Sequence, residues 1–251
     1  MLLQFLEKYS DQLLELQRVI LYCLVYYFAA FFFVMLCPVS FHHSSSLEYE
    51  TLVDIVYHHI VSQLPPKSEI IAGSPAAPFG AYLSIAMHLA GLISMPLIVY
   101  RFLRYVSDAM YPNEWRLVKK YLVPILSTFY IGLIYGWVVV APMVIVVVFG
   151  VGRQAIPVSP VFYVQELVDL AMNSVFISAL IFMVGPLLRL FIDLGVLERS
   201  DVMRNKKWFY LAVFLIIMII DNEPFFVCEA LVTIPVIAIT ELSLRLGYKK
   251  F

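Results

Sequence analysis

Charge is what this chain has least of. Only 14% of its 251 residues are Asp, Glu, Lys or Arg, against about a quarter in soluble globular domains. Hydrophobic residues make up 62%, and the mean hydropathy is +0.89. That balance excludes an ordinary soluble domain. A net charge of -1 excludes nucleic acid as a partner, because binding a phosphate backbone needs a basic surface. Cysteine is scarce: Cys23, Cys37 and Cys228 lie in or beside apolar runs at no metal-ligand spacing, and they read as buried, inert thiols. No Gly-x-Ser-x-Gly turn and no phosphate-binding loop occurs, which removes two common routes to catalysis. His88 is the one histidine inside an apolar run. Ser84 is a poor nucleophile for it, so His88 reads as a hydrogen-bonded packing residue. The adjacent pairs His42-His43 and His58-His59 lie in a polar stretch. Neighbouring side chains point in different directions, so these are solvated positions and not a metal site. The expectation is a non-enzyme with no cofactor and no metal.

What is present is a series of long apolar runs. Pro78–Tyr100 contains no charged residue, and about 20 apolar residues in helix cross a ~30 Å hydrocarbon layer. Arg101, Arg104, Asp108, Glu114, Arg116, Lys119 and Lys120 then arrive together, as expected of a basic loop at a cytoplasmic face. Upstream, residues 2–17 carry Leu2, Leu6, Leu13 and Leu16 against Glu7, Lys8, Asp11 and Glu15. This predicts an amphipathic helix leading into a first span, and not a cleaved signal peptide. Residues 38–77 read as an outer loop with one surface helix. Ser45 and Glu48 stand at capping-box spacing, Leu52, Ile55, Val56, Ile60 and Leu64 follow at helical period, and Pro65-Pro66 closes it. Pro142–Pro160 reads as a second outer connection, and Arg189–Lys207 as a second basic loop.

The expected fold class is therefore an all-α polytopic membrane protein with six transmembrane helices in one domain over residues 1–251. The spans fall near 19–36, 78–100, 121–140, 162–188, 208–220 and 225–240. All of the 17 Lys and Arg except Lys67 and Arg153 fall on one side of this arrangement, so both termini are expected in the cytoplasm. The last two spans are short, the fifth reaching only about 20 Å. They are joined by a tight polar turn, Asp221-Asn222-Glu223-Pro224.

Acidic groups in or near the spans mark candidate sites, because carboxylates are expensive in lipid. Glu166 and Asp169 enter the fourth span, with Asn173 one turn beyond Asp169 as its expected polar partner; Glu229 enters the sixth. Solvation at the interface is the competing reading for Glu166 and Asp169. Glu114 has two readings as well. Asn113 can cap a helix starting at Glu114, whose carboxylate then favours the helix dipole; alternatively the carboxylate receives a cationic ligand. The residues alone point to membrane transport, with a small-solute secondary transporter as one possibility. That class favours repeated halves around a midplane site, and spans 1–3 and 4–6 show no such repeat.

Several segments carry a resemblance. SMPLIVYRFLRYVSDAMYPNEWRL (Ser94–Leu117), FYIGLIYGWVVVAPM (Phe129–Met143), LLELQRVIL (Leu13–Leu21) and PFGAYL (Pro78–Leu83) resemble, in order and spacing, motifs of the TatC family, the receptor subunit of the twin-arginine protein translocase. The resemblance implies six spans in a prokaryotic cytoplasmic membrane. It implies binding of signal peptides with two consecutive arginines at the cytoplasmic face. It also implies recruitment of single-span TatA- and TatB-type subunits, self-association, and export of folded proteins driven by the proton-motive force. On the matching positions it assigns signal binding to Glu15, Leu16, Tyr105, Glu114 and Arg116; the partner or intramembrane polar role expected of Glu166, Asp169 and Asn173 rests on their place in the fourth span alone. The glutamate that many relatives carry late in the fourth span falls on Val184 here.

Overall fold

The computed structural model describes residues 2–41, 49–64, 68–107, 110–147, 161–220 and 226–246. Among the described residues, its frame is built by the helices α1 (Leu2–Leu36), α2 (Leu52–Ser62), α3 (Ala77–Ser107), α4 (Pro112–Tyr135), α5 (Val164–Phe182), α6 (Val184–Asp193), α7 (Arg199–Ile220) and α8 (Phe226–Leu246). Among the described residues, four stretches are long and apolar enough to cross a membrane: Leu13–Leu36, Ala77–Ser107, Pro112–Val147 and Val164–Asp193. The protein is thus a helical, multi-pass membrane protein. Helices α7 and α8 are not among the four.

The chain divides into two compact units, residues 1–55 with 86–115, and residues 56–85 with 116–251. In the first, α1 runs unbroken from Leu2 through the first apolar run. Its Leu21, Leu24, Val25, Phe28 and Phe32 are exposed, as suits side chains facing lipid. Strands β1 (Pro38–Phe41) and β2 (Tyr49–Thr51) pair antiparallel, with Pro38 opposite Thr51. Proline is tolerated there because a strand's first residue need not donate to the ladder.

In the second unit, Val140, Val144, Ile181, Phe182, Val213, Ile217, Val232 and Val236 form a buried core. A close helix approach runs along Gly132 and Gly136. A Cβ on Gly132 would lie 2.7 Å from Phe182, and one on Gly136 3.0 Å from the Val175 backbone. Small residues let membrane helices approach to this distance, and Ser178 Oγ uses it to donate to the Gly132 carbonyl at 3.1 Å. A short parallel pair, β3 (Glu69–Ile71) with β4 (Val161–Tyr163), lies in the same unit.

Several sequence expectations are corrected. The two basic loops are mostly helix. Arg101 and Arg104 lie in α3, Arg116, Lys119 and Lys120 in α4, and Arg189 in α6, while Arg199–Lys207 forms the first turns of α7. Clustered charge ended the apolar runs but not the helices. The third span does not stop at Val140 either. A π-helical turn, Gly136–Val140, follows α4, with Ala141 N–H bonded to Gly136 O, and helix continues over residues 141–147. Such a turn re-satisfies backbone groups near a helix-interior proline, which is how Pro142 is accommodated. Helix α2 starts at Leu52, after a strand, so its N-terminal pair is not Ser45 and Glu48. The Thr51 N–H and hydroxyl both donate to Asp54, at 2.8 and 2.6 Å. Cys23 and Cys37 are half-buried, not buried. Ser45, Glu48, Pro65, Pro66, His42, His43 and the 221–224 turn lie outside the described residues, as does the Cys228 side chain.

Candidate functional site

In the first unit, helical spacing builds one cleft from two helices. Glu15, Arg18, Val19 and Tyr22 recur at i, i+3, i+4 and i+7 on α1, and Arg101, Arg104 and Tyr105 at i, i+3 and i+4 on α3. Together they line a cleft of about 180 Å³. One turn beyond Tyr22, the Tyr26 hydroxyl accepts from Arg101 Nε at 3.2 Å and Nη2 at 3.1 Å. The same guanidinium lies 4.6 Å from the Tyr22 ring centre and 5.9 Å from that of Tyr26. A guanidinium over an aromatic face is attracted by the ring quadrupole, so two tyrosines four residues apart fix its plane. The Tyr27 hydroxyl donates to the Met87 carbonyl at 3.2 Å and ties α1 to α3 further along. The cleft therefore holds one carboxylate and three guanidiniums. Glu15 can accept from a cation, and the arginines can hold an anion.

Of the residues assigned to signal binding, the cleft brings together Glu15 and Tyr105. Leu16 is half-buried beside Glu15, and Arg116 is exposed on α4. Glu114 is not a lining residue. It is the third residue of α4, and its Oε2 accepts the Tyr111 N–H at 2.9 Å. Pro112 opens the helix, where its missing N–H costs nothing. The cap position is thus Tyr111 and not Asn113, and Glu114 makes the return half of a capping box. The role of Arg101 was not read from the sequence; the signal for it was the Tyr22/Tyr26 pair at i, i+4 on a helix with a guanidinium-bearing neighbour.

In the second unit, Gly73, Ser74, Ala77, Tyr163, Gln165, Glu166 and Asp169 line a second cleft of about 480 Å³. Glu166 is exposed and Asp169 half-buried. Asn173 is exposed one turn on from Asp169, and the Asp169 carboxylate accepts from Ser84 Oγ, at 2.5 Å from Oδ1. Val184 is half-buried in α6. Glu229, in the first turn of α8, is fully buried, and its backbone carbonyl accepts from Thr233 Oγ1 at 2.7 Å. Arg189, expected in a loop, is buried and pairs with Asp193 at 2.8 Å. The Tyr121 hydroxyl donates to the same carboxylate. The i, i+4 spacing of Arg189 and Asp193 was the available signal.

The family model for the Sec-independent protein translocase protein TatC matches residues 11–235. The chain belongs to the TatC family. As a TatC protein it is a component of the Sec-independent protein translocase. It is 26% identical to the Escherichia coli (strain K12) TatC over 237 residues, covering 92% of this chain and 84% of that one. It is 25% identical to the Aquifex aeolicus TatC over 182 residues, covering 72% and 75%. Two crystal structures described as the twin arginine translocase receptor TatC have the same fold. One has a TM-score of 0.72 and covers 95% of this chain and 100% of the other; for the second the values are 0.70, 94% and 97%. Both are 22% identical to this TatC.

Proposed function

We propose that this TatC is a non-enzymatic receptor in a prokaryotic cytoplasmic membrane. It binds signal peptides that carry two consecutive arginines, then recruits TatA- and TatB-type single-span subunits for export of folded proteins driven by the proton-motive force. The single observation that carries the reading is the placement of Glu15 in an open cleft with the aromatic walls of Tyr22 and Tyr105. A guanidinium meets a carboxylate bidentately and stacks on aromatic faces, so such a cleft suits arginine better than lysine. Glu114, exposed to solvent in part, is the second acceptor. By the family motif, Leu16 and Arg116 also take part in signal binding. Asp169, with Glu166 and Asn173, serves partner recruitment and not signal binding.

The membrane arrangement proposed with it has six spans, α7 and α8 being the fifth and sixth, and both termini in the cytoplasm. The one-sided distribution of Lys and Arg supports it.

The test is a titration of the purified full-length protein with a twin-arginine peptide. Glu15→Gln should weaken binding about ten- to a hundredfold, as expected for loss of a charge-assisted pair. Unchanged affinity would remove Glu15, and with it the cleft, from the receptor surface.

A further inference from the structure

The Glu15 cleft has more positive charge than a receptor for cationic peptides needs. Arg18, Arg101 and Arg104 all line it, against one carboxylate. A surplus of cations there repels a twin-arginine segment unless something anionic is also present. All three are arginines, whose rigid fork matches phosphate oxygens in two-point contacts. Arg101 is held in orientation by Tyr22 and Tyr26, so little freedom remains to be lost on binding. Arg104 and Arg18 are exposed and able to close on a ligand. The flanking helices leave Leu21 60% and Phe102 54% exposed, which places an apolar surface beside the cationic notch. An apolar flank next to basic side chains at a membrane-helix end is the complement of a lipid with a negative headgroup.

We infer that the cleft formed by Arg18, Arg101 and Arg104 binds the phosphate of an anionic phospholipid, whose acyl chains lie against the exposed apolar faces of α1 and α3. The bound phosphate neutralises the arginines and leaves Glu15 as the acceptor for a further cation. The inference rests on the signal-binding reading of the same cleft, but its test contains no peptide, so the failure of one is distinguishable from the failure of the other.

The full-length protein, delipidated in a neutral detergent, is titrated with short-chain phosphatidylglycerol, with phosphatidylcholine of the same chain length, and with inorganic phosphate, binding being read by native mass spectrometry. Phosphatidylglycerol should saturate one site, with phosphatidylcholine on the order of tenfold weaker or more. Arg104→Gln and Arg101→Gln should each weaken phosphatidylglycerol about five- to tenfold. Glu15→Gln should tighten it, the opposite sign to the effect expected on a signal peptide. Arg104 is exposed, so Arg104→Gln is expected to leave the fold intact and the test survives if Arg101→Gln fails to fold; melting curves check both. Equal retention of phosphatidylglycerol by Arg104→Gln and wild type overturns the inference, as does equal binding of the two lipids. If inorganic phosphate binds as tightly as the lipid, the ligand is a soluble anion and the lipid assignment is overturned.

Discussion

Replacing Glu114 with Gln separates a helix-start role from a receptor role by magnitude. Glu114 Oε2 accepts the Tyr111 N–H at 2.9 Å, and glutamine keeps a carbonyl oxygen able to accept the same bond. What the change removes is the negative charge in the first turn of α4, worth about 0.3–1 kcal/mol against the helix dipole. In a protein of this size that is a fall in melting temperature of roughly one to four degrees. The other oxygen, Oε1, is the one left to meet an arginine of the signal. Losing a charge-assisted pair there costs roughly 1.5–3 kcal/mol, about ten- to a hundredfold in affinity. The assay combines a twin-arginine peptide titration with a thermal melt of the same Glu114→Gln preparation. A small change in melting with a tenfold or larger loss of affinity is expected. Wild-type affinity in the variant would refute the receptor role and leave Glu114 as a helix start alone.

Three further outcomes are expected. Gly132→Ala places a Cβ 2.7 Å from Phe182 and 2.9 Å from the Ser178 carbonyl; overpacking of this kind costs about 1–3 kcal/mol, and an unchanged melting temperature would show that the two helices yield easily. Glu241, beyond the sixth expected span, has its pKa lowered, first by the Lys206 ammonium 2.8 Å away and then by the Tyr210 hydroxyl, burial opposing them. Its contribution to stability is therefore complete above the ordinary carboxylate value and lost as pH falls through the lowered one, so Lys206→Gln should flatten the acid limb of a stability profile, and identical limbs would contradict the pairing. Asp169→Asn leaves Ser84 with a weaker acceptor and should reduce recruitment of TatA-type subunits while signal binding stays intact; wild-type export would return Asp169 to a solvated interface.

Apolar run length carried most of what the sequence revealed of the fold. The helices over Leu13–Leu36 and Ala77–Ser107 lie where charge-free stretches of about 20 residues put them. The errors have a common cause, since charge marks where a helix leaves the lipid and not where it ends. Hence α3 and α6 continue through Arg101, Arg104 and Arg189, where charge alone suggests loops. The helix beyond Val140 was missed because a π turn precedes Pro142, and that adjustment has no local sequence signature. Strands β3 and β4 are three residues each and pair across some 90 positions, beyond the reach of periodicity. At the candidate sites, motif positions named Glu15 and Tyr105, which do meet. The Ser84–Asp169 bond and the clamp of Tyr22 and Tyr26 on Arg101 are tertiary contacts between residues about 75 to 85 positions apart, and no spacing rule gives them.

The receptor claim is tested most directly by one comparison on the wild-type protein. The purified chain is titrated with a signal peptide bearing two consecutive arginines, and with the same peptide bearing two lysines. Lysine keeps the charge but loses the planar fork and the stacking surface. The account predicts saturable binding of the arginine peptide and binding of the lysine peptide on the order of tenfold weaker or less. Equal binding of the two peptides, or of neither, would contradict it.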